Sequence, residues 1–473
     1  MMEEMFSLLS FILIGVGILS PTLDYTILRG RKFVSPWLTL VALILSIGIL
    51  GYLSVTSIDQ PAVQIFGGMM EVGFFEIFLS LIATLGATFV AVASLARVRG
   101  WSTSPSFYSL LSLAVLGAYY LIAAHDFVLL IGAWALVSVI SYVLVGIKKD
   151  ERSVEGAVKY SLMGIIASVL ILYAIAVVFS LTGSTSVGSI ANIPQGAEKS
   201  LVLLASVFFV SAFGFKIGVV PFHGWLPDVY GKVHPMLVAF LTGVVAVAVG
   251  GILIKILHPL APLVGNQWPV LIGLLSIFTM TFGNIVALLQ KNLQMMMAYS
   301  SIAHIGYILV GVTAMSSSGE ALGLQGIGLH FVAYMLAGVG MFVFLAYLLR
   351  KGVGFQMEDL KGLGRRMPIV SVAILIILLS LMGIPPLIGF WSKFYLFTSV
   401  IAVAPWLALI AIINSGISLG YYIQPIRYMF FAKGTEVAEE KLKDPDAAIV
   451  VLAAVLMIVA GFLLPSIAPY LVI

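Results

Sequence analysis

The sequence predicts an all-α polytopic membrane protein of about fourteen transmembrane helices, built as two inverted five-helix repeats with broken helices at spans seven and twelve. Three observations predict it. Of 473 residues, 61% are hydrophobic and 9% charged, and the mean hydropathy is +1.16, far too little polar surface for a soluble chain of this length. Apolar runs of about 20 residues, the length that crosses the hydrocarbon core as a helix, recur from end to end. The Lys and Arg residues fall almost entirely in alternate loops.

The spans are placed at 6–28, 36–58, 72–95, 107–124, 127–147, 160–182, 200–221, 236–257, 268–289, 297–315, 324–349, 368–398, 401–426 and 447–471. They make one transmembrane domain over 1–473: N-terminal helices in 1–100, a first repeat in 107–257 (spans four to eight), a second in 268–426 (spans nine to thirteen), and a last helix in 447–473. Connections are short and carry Gly, Pro and charge, and the longest polar stretch runs from Lys433 to Asp446. No soluble segment is long enough to hold a catalytic site. Met1-Met2-Glu3-Glu4 is acidic where a signal peptide is basic, so the first apolar run reads as a retained helix.

Charge tests the count independently. One set of alternate loops holds twenty cations: Arg29, Arg31, Lys32, Arg97, Arg99, Lys148, Lys149, Arg152, Lys159, Lys232, Lys291, Arg350, Lys351, Lys361, Arg365, Arg366, Arg427, Lys433, Lys441 and Lys443. The other set holds Lys199 alone. A single miscounted span would scramble this split. The positive-inside rule then puts both termini on the extracytoplasmic side of a prokaryotic plasma membrane. The chain contains no Cys, which excludes disulfides, a thiol nucleophile and iron–sulfur ligation by this chain. Absent Cys with sparse Asn and Gln points to a thermophilic source. Nucleotide, flavin and metal motifs are absent, and the basic balance belongs to one membrane face rather than to nucleic-acid binding.

The remaining three of the 24 cations, Lys216, Lys255 and Lys393, fall inside spans. Lys255 lies near the outer end of its helix, where its stem is expected to snorkel to the headgroups. Lys216 and Lys393 lie deeper, where an ammonium costs several kcal/mol unless it meets water or a partner. Each stands beside a helix-breaking proline: Lys216 precedes Pro221, and Lys393 follows Pro385-Pro386. Proline removes a donor and frees carbonyls that must be satisfied internally. The two breaks are five spans apart. Five is odd, so successive five-helix units cross with opposite orientation, as in an inverted-repeat transporter core.

Three segments carry a resemblance. Phe215-Lys216 through Pro221-Phe222-His223-Gly224-Trp225-Leu226-Pro227-Asp228, the run Asn292 to Tyr307 with His304, and Gly383-Ile384-Pro385-Pro386 through Lys393-Phe394-Tyr395 resemble hallmarks of the antiporter-like, ion-translocating membrane subunits shared by complex I, membrane-bound hydrogenases and multisubunit cation/proton antiporters. Gly383-Ile384-Pro385-Pro386 and Phe331 to Leu336 look most like the N-type subunit. The resemblance implies a non-catalytic subunit that moves or couples protons, or sodium, in a respiratory assembly. Its iron–sulfur clusters would lie in partner subunits, with other membrane and peripheral subunits and the bilayer as its surroundings. The alternatives are an antiporter without redox partners and a structural module that no longer pumps.

The resemblance also implies buried stations: a Glu in span five, a Lys in seven, a Lys or His in eight and a Lys in twelve. Lys216 and Lys393 match two. Ala135 stands where the span-five Glu belongs, and Ala246 or Val247 where the span-eight Lys belongs, so neither of those stations can titrate. His304 and His330 are candidate proton steps of the C-terminal half, the plain alternative being a hydrogen bond to a carbonyl. His223 and His234 bracket Trp225 to Asp228, shaping that loop or a proton inlet. Glu76, about one turn into span three, is a candidate partner for a neighbouring subunit or a stand-in for the lost Glu. His125 and His258, at span ends, receive no role.

Overall fold

The computed structural model describes residues 2–28, 34–96, 98–194, 198–433 and 444–471. Of the tallied cations, Arg29, Arg31, Lys32, Arg97, Lys441 and Lys443 lie outside the described residues, as does the middle of the polar stretch before the last span.

The chain runs through α1 (Met2–Thr22), α2 (Ser35–Ser57), a hairpin of β1 (Val63–Ile65) and β2 (Met70–Val72), then α3 (Phe74–Ser94), α4 (Ser104–Ala123), α5 (Phe127–Gly146) and α6 (Glu151–Thr182). It continues with α7 (Lys199–Ile217), the short α8 (Trp225–Tyr230) and α9 (Pro235–Phe240), α10 (Ala246–Val264), α11 (Trp268–Leu288), α12 (Leu293–Thr313) and α13 (Glu320–Arg350). The last elements are α14 (Leu363–Arg366), α15 (Pro368–Met382), α16 (Ile388–Ser399), α17 (Pro405–Phe431) and α18 (Pro445–Ile467). Every predicted span overlaps a helix.

Among the described residues, twelve helical runs are long and apolar enough to cross a membrane, against the fourteen expected. The difference has two sources. Residues Pro235–Leu288 form one unbroken run, turned by a 3₁₀ segment at Gly265–Gln267. The twelfth span is divided into α15 and α16, each too short to count alone. The all-α expectation is also interrupted by the β1–β2 hairpin, whose antiparallel register pairs Gln64 with Glu71.

Burial is inverted relative to a soluble protein. Phe11, Ile44, Val55, Leu162, Phe278, Leu409 and Phe462 point outward, as expected of helices solvated by lipid. Nearly every residue of α12 and α13 is buried, as is the stretch Val247 to Leu257 of α10, so these helices form the centre, while α1, α2, α6, α17 and α18 bury one face each. Small residues permit close packing where apolar attraction adds little in lipid. A Cβ on Gly283 of α11 would lie 2.5 Å from the Ala303 nitrogen of α12, and one on Gly306 would lie 2.5 Å from the Met280 nitrogen.

The two helix breaks share a local pattern. α7 ends at Gly218 (φ +90°), three residues before Pro221, and α15 ends at Gly383 (φ +83°), three residues before Pro386. Both glycines take the left-handed conformation that closes a helix and that a Cβ resists. A third irregularity is a π-helical turn, Leu241–Val245, joining α9 to α10 and pressed against α3 through Gly86, where a Cβ would meet the Gly243 carbonyl at 2.5 Å. The Tyr470 ring meets Phe74 edge-on, so the C-terminus and the start of α3 share one face of the bundle, called here the terminal face.

Candidate functional site

Lys393 is held by the carbonyls that the broken helix sets free. The last carbonyls of α15 have no partner within the helix, and Lys393 Nζ donates to Leu381 O (2.8 Å) and to Ser415 Oγ of α17 (3.0 Å). It also lies 4.9 Å from the centre of the Tyr307 ring. The negative end of a helix dipole and an aromatic face both favour a cation here. Among the described residues no carboxylate lies within salt-bridge distance of it. Lys393 also borders a cavity of about 450 Å³ between α15, α16 and α17, flanked by the outward-facing Phe394, Ile412 and Leu419.

Beside it runs a chain of five hydrogen-bonded side chains. Ser300 and Tyr422 share a hydroxyl–hydroxyl bond. The Tyr422 hydroxyl lies 3.0 Å from His304 Nε2, His304 Nδ1 lies 3.1 Å from His330 Nε2, and His330 Nδ1 lies 3.1 Å from Ser392 Oγ. All five are buried. Ser392 Oγ donates to the Gly389 carbonyl (3.0 Å), so it accepts from His330 Nδ1–H. The tautomers follow: His330 Nε2 accepts from His304 Nδ1–H, and His304 Nε2 accepts from the Tyr422 hydroxyl. The run therefore has one consistent direction, ending at the residue before Lys393.

A second polar group flanks the Tyr307 ring. Asn284 Nδ2 donates to the Tyr307 hydroxyl (3.0 Å) and to Asn414 Oδ1 (3.1 Å), and the Tyr421 hydroxyl donates to Asn284 Oδ1 (3.0 Å). Sequence reasoning named Lys393, His304 and His330 but missed Ser300, Ser392, Tyr422, Ser415 and the asparagine pair. A signal was present. Asn414, Ser418 and Tyr421 recur at helical spacing in α17 after the apolar run Pro405 to Ile413.

The N-terminal half is different. Lys216, in the last turn of α7, donates to Ser141 Oγ and the Tyr142 hydroxyl, both at 3.3 Å. Its Nζ lies 4.3 Å and 4.4 Å from the Tyr142 and Tyr160 ring centres. Hydroxyls and aromatic faces surround it, and no carboxylate does among the described residues. Ala135 lies on the exposed face of α5, Ala246 is partly buried and Val247 fully so. A glutamate at 135 would therefore face outward, and its tolerance reports on what lies beside the chain rather than on an internal cavity.

Pro221, Pro385 and Pro386 occupy the two breaks, exposed. His223 packs edge-on against Phe282 at 4.4 Å. His234 caps α9, accepting from the Met236 nitrogen at 3.2 Å, and meets the Trp101 ring at 5.2 Å. Asp228, between the two histidines in sequence, pairs with Lys159 of α6 at 2.8 Å.

The snorkelling expected of Lys255 is overturned. It is 4% exposed, and its Nζ contacts Glu76 Oε1 (3.1 Å), Glu71 O (3.2 Å) and Glu71 Oε2 (3.3 Å). A buried ammonium beside two carboxylates keeps its partners rather than reaching for headgroups. Glu76 thus pairs within the chain, and its second oxygen accepts from the Gly73 nitrogen at the start of α3 (2.9 Å). The two histidines given no role are both paired: His125 with Glu71 at 3.0 Å, and His258 with Glu320. The Glu71 carboxyl is held down at about 2, first by its hydrogen bond from His125, with the Lys255 ammonium adding to the effect against the opposing pull of burial.

Comparisons with known proteins bear on this arrangement. The chain is 31% identical to NADH-quinone oxidoreductase subunit N of Trichlorobacter lovleyi, over 100% of this chain and 94% of that one. It is 32% identical to F(420)H(2) dehydrogenase subunit N of Methanosarcina mazei, over 91% of this chain and 88% of that one. Among solved structures it superposes on a chain of respiratory complex I from Thermus thermophilus with a TM-score of 0.81 and 28% identity, each chain covered to 98%. Residues 124–418, which include Lys216, His304, His330 and Lys393, match the transmembrane family described as NADH:quinone oxidoreductase/Mrp antiporter. The chain belongs to the NADH:quinone oxidoreductase/Mrp antiporter transmembrane family.

Proposed function

We propose that this chain is a proton-translocating subunit of a redox-driven respiratory complex in the plasma membrane, and that it conducts through its C-terminal half. The observation that carries this reading is the run Ser300–Tyr422–His304–His330–Ser392 ending beside Lys393. An imidazole passes a proton by accepting at one nitrogen and releasing at the other, and a hydroxyl does the same at one oxygen. A proton accepted at the Ser300 end shifts each hydrogen by one bond and emerges at Ser392. The hydroxyls and rings must then turn to restore the starting direction, so each passage is followed by a reset. Imidazoles and hydroxyls without a carboxylate suit a proton better than a dehydrated sodium ion.

The N-terminal half supports a different role. Ala135, Ala246 and Val247 break its series of stations, and Lys216 is left enclosed by hydroxyls and aromatic rings. The charge tally supports fourteen crossings with the terminal face outside, the run Pro235–Leu288 making two crossings and α15 with α16 making one. The matching Gly218–Pro221 and Gly383–Pro386 breaks support inverted repeats over spans four to eight and nine to thirteen. The electron chemistry belongs to partner subunits, since the chain has no cysteine to ligate an iron–sulfur cluster.

Purification of the tagged chain from its native membrane in mild detergent, with mass spectrometry and metal analysis, tests the assembly. Iron together with hydrophilic redox subunits is the expected result. Membrane subunits alone, without iron, would contradict it and point to a cation/proton antiporter.

A further inference from the structure

A separate cluster sits at the terminal face, where neither the run of histidines nor Lys216 reaches. Lys255 of α10 joins Glu76 of α3 to Glu71 of β2, and Glu71 in turn meets His125 between α4 and α5, so the cluster is drawn together from four parts of the chain. A cavity of about 450 Å³ is lined by both carboxylates and by Asp59, Gly73 and Tyr470. Two carboxylates and one ammonium with a neutral imidazole carry a formal net charge of minus one, so one added proton neutralises the set.

We propose that this cluster is a proton-binding site on the extracytoplasmic face, with His125 as the group that takes the proton. The geometry selects the atom. His125 Nε2 accepts from the Gln64 amide nitrogen, which leaves the hydrogen of the neutral ring on Nδ1, 3.0 Å from Glu71 Oε2. Nε2 lies 3.3 Å from the Gln64 amide nitrogen, and Gln64 is exposed, so one side chain separates Nε2 from water. On protonation Nε2 becomes a donor and the Gln64 amide turns to offer its oxygen.

The groups facing His125 are Glu71 and Gln64 on the hairpin, Asp126 next along the chain, and the 3₁₀ turn at Gly188. Asp126 is already engaged with Val128 and Thr185. A metal cation finds no seat, because the Lys255 ammonium already lies 3.1–3.3 Å from the three oxygens that would bind one. The site also faces inward. One turn along α3 from Glu76, Ser80 Oγ is fully buried with no hydrogen-bond partner, and one turn further Thr84 bonds the Tyr119 hydroxyl at 2.6 Å. α3 therefore carries a file of hydroxyls from the cluster toward the π-helical turn.

The inference depends on the orientation proposed above only for the name of the side, and its test does not use transport. Infrared difference spectra of the intact purified complex are recorded as buffer pH is stepped from about 5 to about 8, the range of imidazole titration. One histidine ring band should vanish in His125→Gln. In Glu71→Gln the pH dependence of that band should move to lower pH, because the carboxylate beside the ring is gone. The exposed substitution Gln64→Glu should move it the other way, and it serves if His125→Gln fails to assemble. Lys393→Met should leave the band in place, which separates this inference from the reading of the C-terminal half. A band unmoved by both Glu71→Gln and Gln64→Glu would overturn the proposal.

Discussion

At the residue scale, the chemistry rests on which polar atoms are joined and which are not. His304, like His330, has its two nitrogens on different partners, here Tyr422 and His330, so on the proposed path its ring is a required step. His304→Gln keeps a polar side chain of similar reach but cannot shuttle a proton between two nitrogens. Proton transport per electron in reconstituted vesicles should fall about ten-fold or more; an unchanged ratio would remove His304 from the path.

The terminal-face cluster gives a pH prediction of definite sign. Glu71 titrates at about 2 in the folded chain, below its ordinary value of 4.5. Its contribution to stability is complete above about 4.5 and is lost as pH falls toward about 2. The melting temperature of the wild type should therefore drop across that window more steeply than that of Glu71→Gln, and parallel curves would contradict the pairing. Lys216, Lys393, His304 and His330 were legible in the sequence because each lies in a motif or stands alone in an apolar run. The Lys255–Glu76 pair was not, because its members are 179 residues apart and nothing local to either indicates the other.

At the element scale, most of the fold follows from apolar length and proline. The breaks at Pro221 and Pro385-Pro386 were readable because proline cannot continue the helical ladder. The β1–β2 hairpin and the π-helical turn at Leu241–Val245 were hidden: three-residue strands carry no periodicity, and a π turn needs only one extra residue in an unremarkable apolar sequence. Helix contact is set by residues whose smallness matters more than their polarity. Gly283 is the clearest, since a side chain there meets the α12 backbone, which cannot move aside as a side chain would. Gly283→Leu should cost about 1–3 kcal/mol and lower the yield of folded protein. A melting temperature equal to wild type would show that α11 and α12 are not held at this distance.

At the scale of the whole molecule, the asymmetry of charge predicts the orientation proposed above, and the absence of native cysteine makes it testable. Ser318, between α12 and α13, lies toward the terminal face, and Ser102, between α3 and α4, toward the opposite one; both are exposed. In intact cells a membrane-impermeant maleimide should label Ser318→Cys, and should label Ser102→Cys only after permeabilisation. The reverse pattern would invert the topology. The two halves of the molecule also differ in content. One holds a continuous hydrogen-bonded run ending at a lysine, whereas the other holds a lysine among aromatic rings with its expected acid replaced by Ala135.

That contrast makes one comparison decisive: transport by Lys393→Met and Lys216→Met, measured as protons moved per electron in vesicles containing the assembled complex. Conduction through the C-terminal half predicts that Lys393→Met abolishes transport while Lys216→Met keeps at least about half of it, both with normal assembly. Transport that survives in Lys393→Met, or that is lost equally in both, would contradict the account.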